Sequence, residues 1–373
     1  MKIVVALDSF KGTLSAAAAC AVVAEALARR APAAEIVQLP MADGGEGTID
    51  ALVASCSGHT IAVPRVTGPL PDMRVAATYG WLPEARVAVV EMARASGLPL
   101  LEPERRNPML TTTRGTGELL RAARAKRPGK ILLTLGGSAT VDGGVGAARA
   151  LGWEFLDHAG RPVPPGGVGL AAIVRMVPPS GMTLPRVEAL CDVTNPLCGP
   201  NGAAAVYGPQ KGATPAMVRA LEEGLANLAT RCREALGKEV RDLPGAGAAG
   251  GFGAGAVAFL GAELVPGIAA VAATCGLERG LRGADWVVTG EGRFDPQSLQ
   301  GKVISGVRDR ARRSGTAVAV LAGQIALPRA VWRDAGIAIA LATSQNVPFA
   351  HVKRQPEAYL RSAAEQLARL ILN

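Results

Sequence analysis

Five short apolar runs, each followed by a helical pattern, constrain this chain more than any other feature. They are "KIVVAL" (2–7), "EIVQLP" (35–40), "DWVVTG" (285–290), "AVAVLAG" (317–323) and "IAIALAT" (337–343). None alternates polar with apolar residues, as a parallel sheet covered on both faces requires. Helical stretches begin near Ser15, Thr48, Lys302, Pro328 and Glu357. Strand then helix, repeated, implies right-handed crossovers and a doubly wound parallel sheet. Five such strands suit a flavodoxin-like fold. Roughly two hundred residues separate the second helix from the third strand, too many for a loop. The expectation is an α/β chain whose flavodoxin-like domain (1–62 plus 281–373) is interrupted by a glycine-rich α/β domain (63–280).

Open parallel sheets bind ligands at the carboxyl ends of their strands. Three of those ends carry the same kinds of residue. "DSFKGT" holds Asp8, Ser9 and Lys11; "MADGGEGT" holds Asp43 and Glu46; "GEGRFDPQSLQGK", read as a loop, holds Glu291, Arg293, Asp295 and Lys302. Crowded charges are costly unless they are solvated or share a ligand. A single such loop is a helix-capping turn or a solvated loop; three at one sheet edge indicate a site. The insertion adds "LGGSATVDGG", a strand-to-helix glycine turn whose backbone N–H groups suit an anion. It also adds "CDVTNPLCGPNGAAAVYGPQKGA", with Asp192 and Lys211 in a turn-rich stretch.

Other chemistries lack their parts. "GAGAAG" (245–250) matches the dinucleotide fingerprint literally, but no strand precedes it, so close packing explains it better. No Gly-Lys pair is followed by Ser or Thr, which removes the P-loop, and "GGSAT" lacks the last glycine of a nucleophile elbow. His59, His158 and His351 stand alone in sequence and read as surface or core residues. The net charge of +9 comes without basic blocks or interleaved aromatics, against nucleic acid as partner. The N-terminal run is too short for a membrane span or signal, and six cysteines without a C-x-x-C pair suit a reduced, cytoplasmic protein. Carboxylates, lysines, an arginine, hydroxyls and glycines remain. Those parts suit phosphoryl transfer, in which positioning and charge neutralisation supply most of the rate.

Together, "DSFKGTLSA", "PMADGGEGT", "LGGSATVDGG", the stretch from Cys191 to Ala213, "GAGAAGGFGAG" and "TGEGRFDPQSLQGK" resemble the type I glycerate kinases of bacteria, in order and over essentially the whole chain. The resemblance implies transfer of the γ-phosphoryl group of ATP to D-glycerate with Mg²⁺, giving 2-phosphoglycerate, with 3-phosphoglycerate as the alternative product. With it go these expectations. Asp192 is the first choice of base, and Lys11 neutralises charge. Asp43 and Asp295 face the metal or the reacting hydroxyl. Ser9 lies in the substrate site, where Arg293 or Lys302 clamps the carboxylate. Gly136, Gly137, Ser138 and Thr140 cradle nucleotide phosphates. Both a monomer and a homodimer are compatible with the sequence. Two other readings have to be weighed: a nucleotide- or metabolite-binding protein without turnover, and a nicotinamide-dependent hydroxy-acid dehydrogenase.

Overall fold

The computed structural model describes residues 1–372 and divides into two compact units. The first comprises residues 1–43, 50–58 and 266–373; the second comprises 44–49 and 59–265. The chain thus re-enters the first unit at Pro266 rather than near 281. The helices Gly267–Cys275 and Leu277–Leu281 lie in that unit, packed on the helix Val303–Ser314.

Thirteen strands occur among the described residues. In the first unit they are β1 (Lys2–Leu7), β2 (Glu35–Gln38), β11 (Trp286–Phe294), β12 (Ala317–Ile325) and β13 (Ile339–Ala342). They pair in parallel in the order β13-β12-β11-β1-β2. Counted along this unit alone, that is the flavodoxin-like order, with its switch point between β1 and β11. Ile3, Val5, Leu7, Val288, Ala319 and Leu321 are fully buried beneath the helices Ala16–Arg30 and Pro356–Leu372. Ser15 starts the first of these helices by accepting a hydrogen bond from the Ala18 N–H at 3.2 Å.

Two sequence expectations need correction. The strands β2 and β13 are half exposed rather than buried, because each is an edge with a neighbour on one side only. The segment read as a loop after Gly290 is strand: β11 runs on to Phe294, with Arg293 beside Gln324 and Phe294 beside Ile325 of β12. Glycines and charges disguised it. The period of two in an extended chain then places Glu291 and Arg293 on one face of the sheet.

The second unit carries β3 (His59–Thr67), β4 (Arg74–Leu82), β5 (Val87–Glu91), β6 (Lys130–Thr134), β7 (Glu154–Leu156), β8 (Arg175–Val177), β9 (Arg186–Leu190) and β10 (Glu263–Val265). Six of these form a mixed sheet in the order β10-β9-β6-β5-β4-β3, and β7 pairs with β8. Its core includes an aromatic cluster of Trp153, Phe155 and Phe259, with centroids 5.2–6.3 Å apart. The glycine segment 245–255 packs into this core. A Cβ on Gly250, at φ +69°, would lie 1.9 Å from the Thr140 carbonyl oxygen. Here the glycines serve close backbone approach.

Candidate active site

Register builds the site in the first unit. Leu7 of β1 pairs with Gly290 of β11, and the Asp8 N–H donates to the Gly290 carbonyl at 2.9 Å. The next residues, Asp8 and Glu291, therefore emerge side by side at the switch point. Asp43 follows β2 on the other flank of β1. A cavity of about 420 Å³ opens here, and Asp8, Ser9, Lys11, Asp43, Glu291, Arg293, Asp295 and Lys302 all line it. The sequence motifs assigned to one sheet edge thus meet in one place.

The electrostatics are unfavourable without a ligand. Burial pushes the Asp8 carboxyl up to about 7, and the charges of Asp43 and Glu291 push the same way; the Ser9 N–H, 2.6 Å from its Oδ1, and Lys11 only partly oppose them. Glu291 is raised as well, chiefly by burial, against the hydrogen bond of Ser298 and the charge of Lys302, with Asp295 and Asp43 adding a smaller upward push. Its Oε1 is buried and has no hydrogen-bond partner in the protein. Such an oxygen costs stability unless something else satisfies it.

Asp295 has a structural duty beside any functional one. Its carboxylate accepts from the Gln297 N–H at 3.0 Å, while its own N–H donates to Ser298 Oγ at 3.1 Å. This capping box starts the short turn Pro296–Leu299. Its Oδ2 lies 3.7 Å from Arg293 Nε, and that arginine side chain is 65% exposed. Lys302 stands at the N-cap of the helix Val303–Ser314.

The second unit holds the remaining expected residues. Asp192 lies exposed on the loop after β9. Gly136 and Gly137 are accessible on the loop after β6, whereas Ser138 and Thr140 turn inward and are buried. Lys211 explains their burial: its Nζ donates to Ser138 Oγ and to the Thr140 carbonyl, both at 2.8 Å. Burial lowers this lysine to about 7, against the opposing pull of Asp142. The carboxylate of Asp142 is itself raised by burial, yet it accepts from the N–H groups of Thr113, Gly144 and Gly146 and from the Thr113 hydroxyl.

Sequence reasoning gave Asp8 and Glu291 no role, although both stood in the quoted motifs. Their signal was positional: Asp8 directly follows β1 and Glu291 directly follows Gly290, the partner of Leu7, on the adjacent strand at the switch point. Among the described residues no disulfide joins the cysteines, and no helix is long and apolar enough to cross a membrane.

Comparison with known proteins agrees over the full length. The profile of the glycerate kinase family matches residues 3–372. A glycerate kinase of Haemophilus influenzae is 42% identical over 375 residues, covering 100% of this chain and 99% of that one. A glycerate 2-kinase of Escherichia coli K12 is 43% identical over 330 residues, covering 87% and 86%. A crystal structure from Salmonella typhimurium LT2, of a chain assigned as glycerate kinase 2, superposes with a TM-score of 0.91 at 40% identity, covering 100% of this chain and 98% of that one.

Proposed function

Because the chain belongs to the glycerate kinase family, we propose that it transfers the γ-phosphoryl group of ATP to D-glycerate, giving 2-phosphoglycerate, with Mg²⁺ and a carboxylate base. The observation that carries this reading is the cavity at the switch point, where four carboxylates face Lys11, Arg293 and Lys302. Those cations suit the substrate carboxylate and the transferring phosphoryl group. A guanidinium holds a carboxylate through two parallel hydrogen bonds, so Arg293 takes the glycerate carboxylate, with Ser9 and Lys302 beside it.

The residues also fit a divalent cation. Among the described residues no three His, Cys, Asp or Glu side chains form a protein-only metal cage. Mg²⁺ does not need one, since one or two carboxylates hold it while waters and phosphates complete its shell. The unpartnered Glu291 oxygen and the crowding of Asp8 with Asp43 are what a cation would relieve. Asp43 and Asp295 would hold it, beside Glu291, whose carboxyl feels both of their charges. When bound, the cation neutralises the charge on the phosphate oxygens.

In the reaction the acceptor hydroxyl oxygen forms a bond to the γ-phosphorus as the bond to the β-phosphate oxygen breaks. ADP leaves, and the hydroxyl proton passes to a carboxylate. Asp192 is our first assignment for that carboxylate. Asp8 is the rival, favoured by its burial in the cavity and its raised affinity for a proton. Lys11 neutralises phosphoryl charge, and the accessible backbone of Gly136 and Gly137 would contact nucleotide phosphates beside Ser138 and Thr140.

The test is to incubate the protein with Mg-ATP and D-glycerate, follow ADP release and identify the product by phosphorus NMR. A doublet, from phosphate on the secondary carbon, is expected; a triplet would move the phosphate to the primary position. No ADP release with D-glycerate or any other hydroxy acid would overturn the kinase reading. Comparing Asp192→Asn with Asp8→Asn then assigns the base: its loss abolishes turnover while product-side ADP binding survives.

A further inference from the structure

The cavity in the first unit has a second half that this chemistry does not use. D-glycerate is a three-carbon acid with polar groups on every carbon, and the charged residues suffice for it. A volume of about 420 Å³ falls within the range of roughly 300–1,000 Å³ that encloses much larger ligands. Apart from the charged residues, its walls include Leu14, Val347, Phe349, Val352, Pro356 and Leu360. Nothing in a small hydroxy acid calls for such a wall.

Three features of this half are built for a flat apolar ligand. Phe349 is 58% exposed, an unusual place for a large aromatic ring in a chain with few aromatics. Its ring edge reaches the turn after β1, where a Cβ on Gly12 would come within 3.2 Å of Cζ. Gly12 sits at φ +80°, so the glycine both makes the turn and leaves the ring its room. Gln324, near the end of β12, and Thr343, just after β13, line the same cavity. Their side chains supply donors and acceptors of the kind that fix a ligand's orientation in an otherwise apolar pocket.

We propose that this apolar half takes the purine base of the phosphoryl donor, with Phe349 as its stacking surface and the donor's phosphates running toward Lys11. The inference rests on the ATP-dependent reading above and adds to it the place where the nucleoside binds.

Calorimetry with ADP, and separately with inorganic tripolyphosphate, tests the proposal on the wild-type chain, Phe349→Ala and Phe349→Trp. Phe349→Ala is expected to weaken ADP roughly tenfold, the scale on which loss of an aromatic stacking partner weakens a base. Its affinity for tripolyphosphate and its KM for D-glycerate should stay within about twofold of wild type, and Phe349→Trp should restore ADP binding. Unchanged ADP affinity in Phe349→Ala, with wild-type turnover intact, would overturn this inference alone. A raised KM for D-glycerate with unchanged ADP affinity would also overturn it, assigning the wall to the acceptor. Absence of ADP release from the wild-type enzyme would instead sink the donor reading itself. Because the ring is mostly exposed, an unchanged melting temperature is expected and keeps the binding result interpretable.

Discussion

Two parts of this protein bury ionisable groups, and they treat them in opposite ways. In the second unit, Asp142 is fully enclosed and accepts four hydrogen bonds, while Lys211 spends its N–H groups on Ser138 and the Thr140 carbonyl. In the first, Asp8, Asp43 and Glu291 crowd against one another around a cavity, and Glu291 Oε1 has no partner at all. A charge that its own chain satisfies holds a loop in shape. An oxygen without a partner beside a cavity, as in Glu291, is one that a ligand can satisfy. Perturbed proton affinity alone would not separate the two cases, since Asp8 and Lys211 are both displaced to about 7.

The largest effect should come from breaking the acidic cluster at the switch point. Asp8→Asn is expected to lower kcat/KM by about a thousandfold, within the 10²–10⁴ range of a lost proton-transfer or charge-positioning group. The fold should not suffer. A variant within tenfold of wild type in steady-state assays would remove Asp8 from the reaction and leave Asp192 as the base.

The mirror experiment is Asp142→Ala. It strands the N–H groups of Thr113, Gly144 and Gly146 in the interior, at a cost of about 3 kcal/mol or more. Urea unfolding should show the midpoint dropping accordingly, while the folded enzyme keeps its KM for D-glycerate within about twofold. A fully stable Asp142→Ala protein with lost activity would reverse the roles assigned to the two clusters.

The pH dependence of stability separates them further. The Asp8 carboxyl binds its proton more tightly in the folded chain, at about 7 against 3.8. Between those values the native state holds more protons than the unfolded one, so stability falls as pH rises through the window. The penalty is small below the lower value and complete above the upper. It amounts to about 1.4 kcal/mol for each unit of displacement that is realised. Asp8→Asn carries no such charge, so its melting temperature should exceed wild type at pH 8 and converge with it near pH 4. Lys211 runs the other way, because its folded value lies below the unfolded 10.5 and its contribution to stability grows from about pH 7 upward. Parallel melting curves for wild type and Asp8→Asn across that range would show that the Asp8 carboxyl is not strained.

The sheet order and the acidic edge were legible because both follow from local pattern: apolar runs, then the first polar residues beyond them. Asp43, Lys11 and Arg293 could be placed at one edge without coordinates. The strand after Gly290 was not legible, since its glycines and charges imitate a loop, and only pairing with Gln324 and Ile325 of β12 shows otherwise. Nor could the sequence show that Ser138 and Thr140 are held inward. That depends on Lys211, 73 and 71 positions away, whose ammonium enters the interior. The segment around Phe349 carried no motif at all; its significance lies in exposure and in the cavity it faces, which are properties of the folded chain.

The smallest expected effect concerns Arg293, on the exposed rim of the acidic cluster. Its ion pair with Asp295 is long, 3.7 Å, and its side chain is 65% exposed, so the pair contributes at most about 1 kcal/mol to the fold. Arg293→Lys keeps the charge and removes the planar fork. If the guanidinium grips the glycerate carboxylate, KM for D-glycerate should rise roughly tenfold, the worth of one charge-assisted hydrogen bond. The melting temperature and the KM for ATP should hold. A lower melting temperature with an unchanged KM for D-glycerate would mean that Arg293 serves the Asp295 turn instead, and that the substrate carboxylate is held by Lys302. That outcome would move one residue across the boundary between charges that serve the fold and charges that serve a ligand, and leave the boundary itself in place.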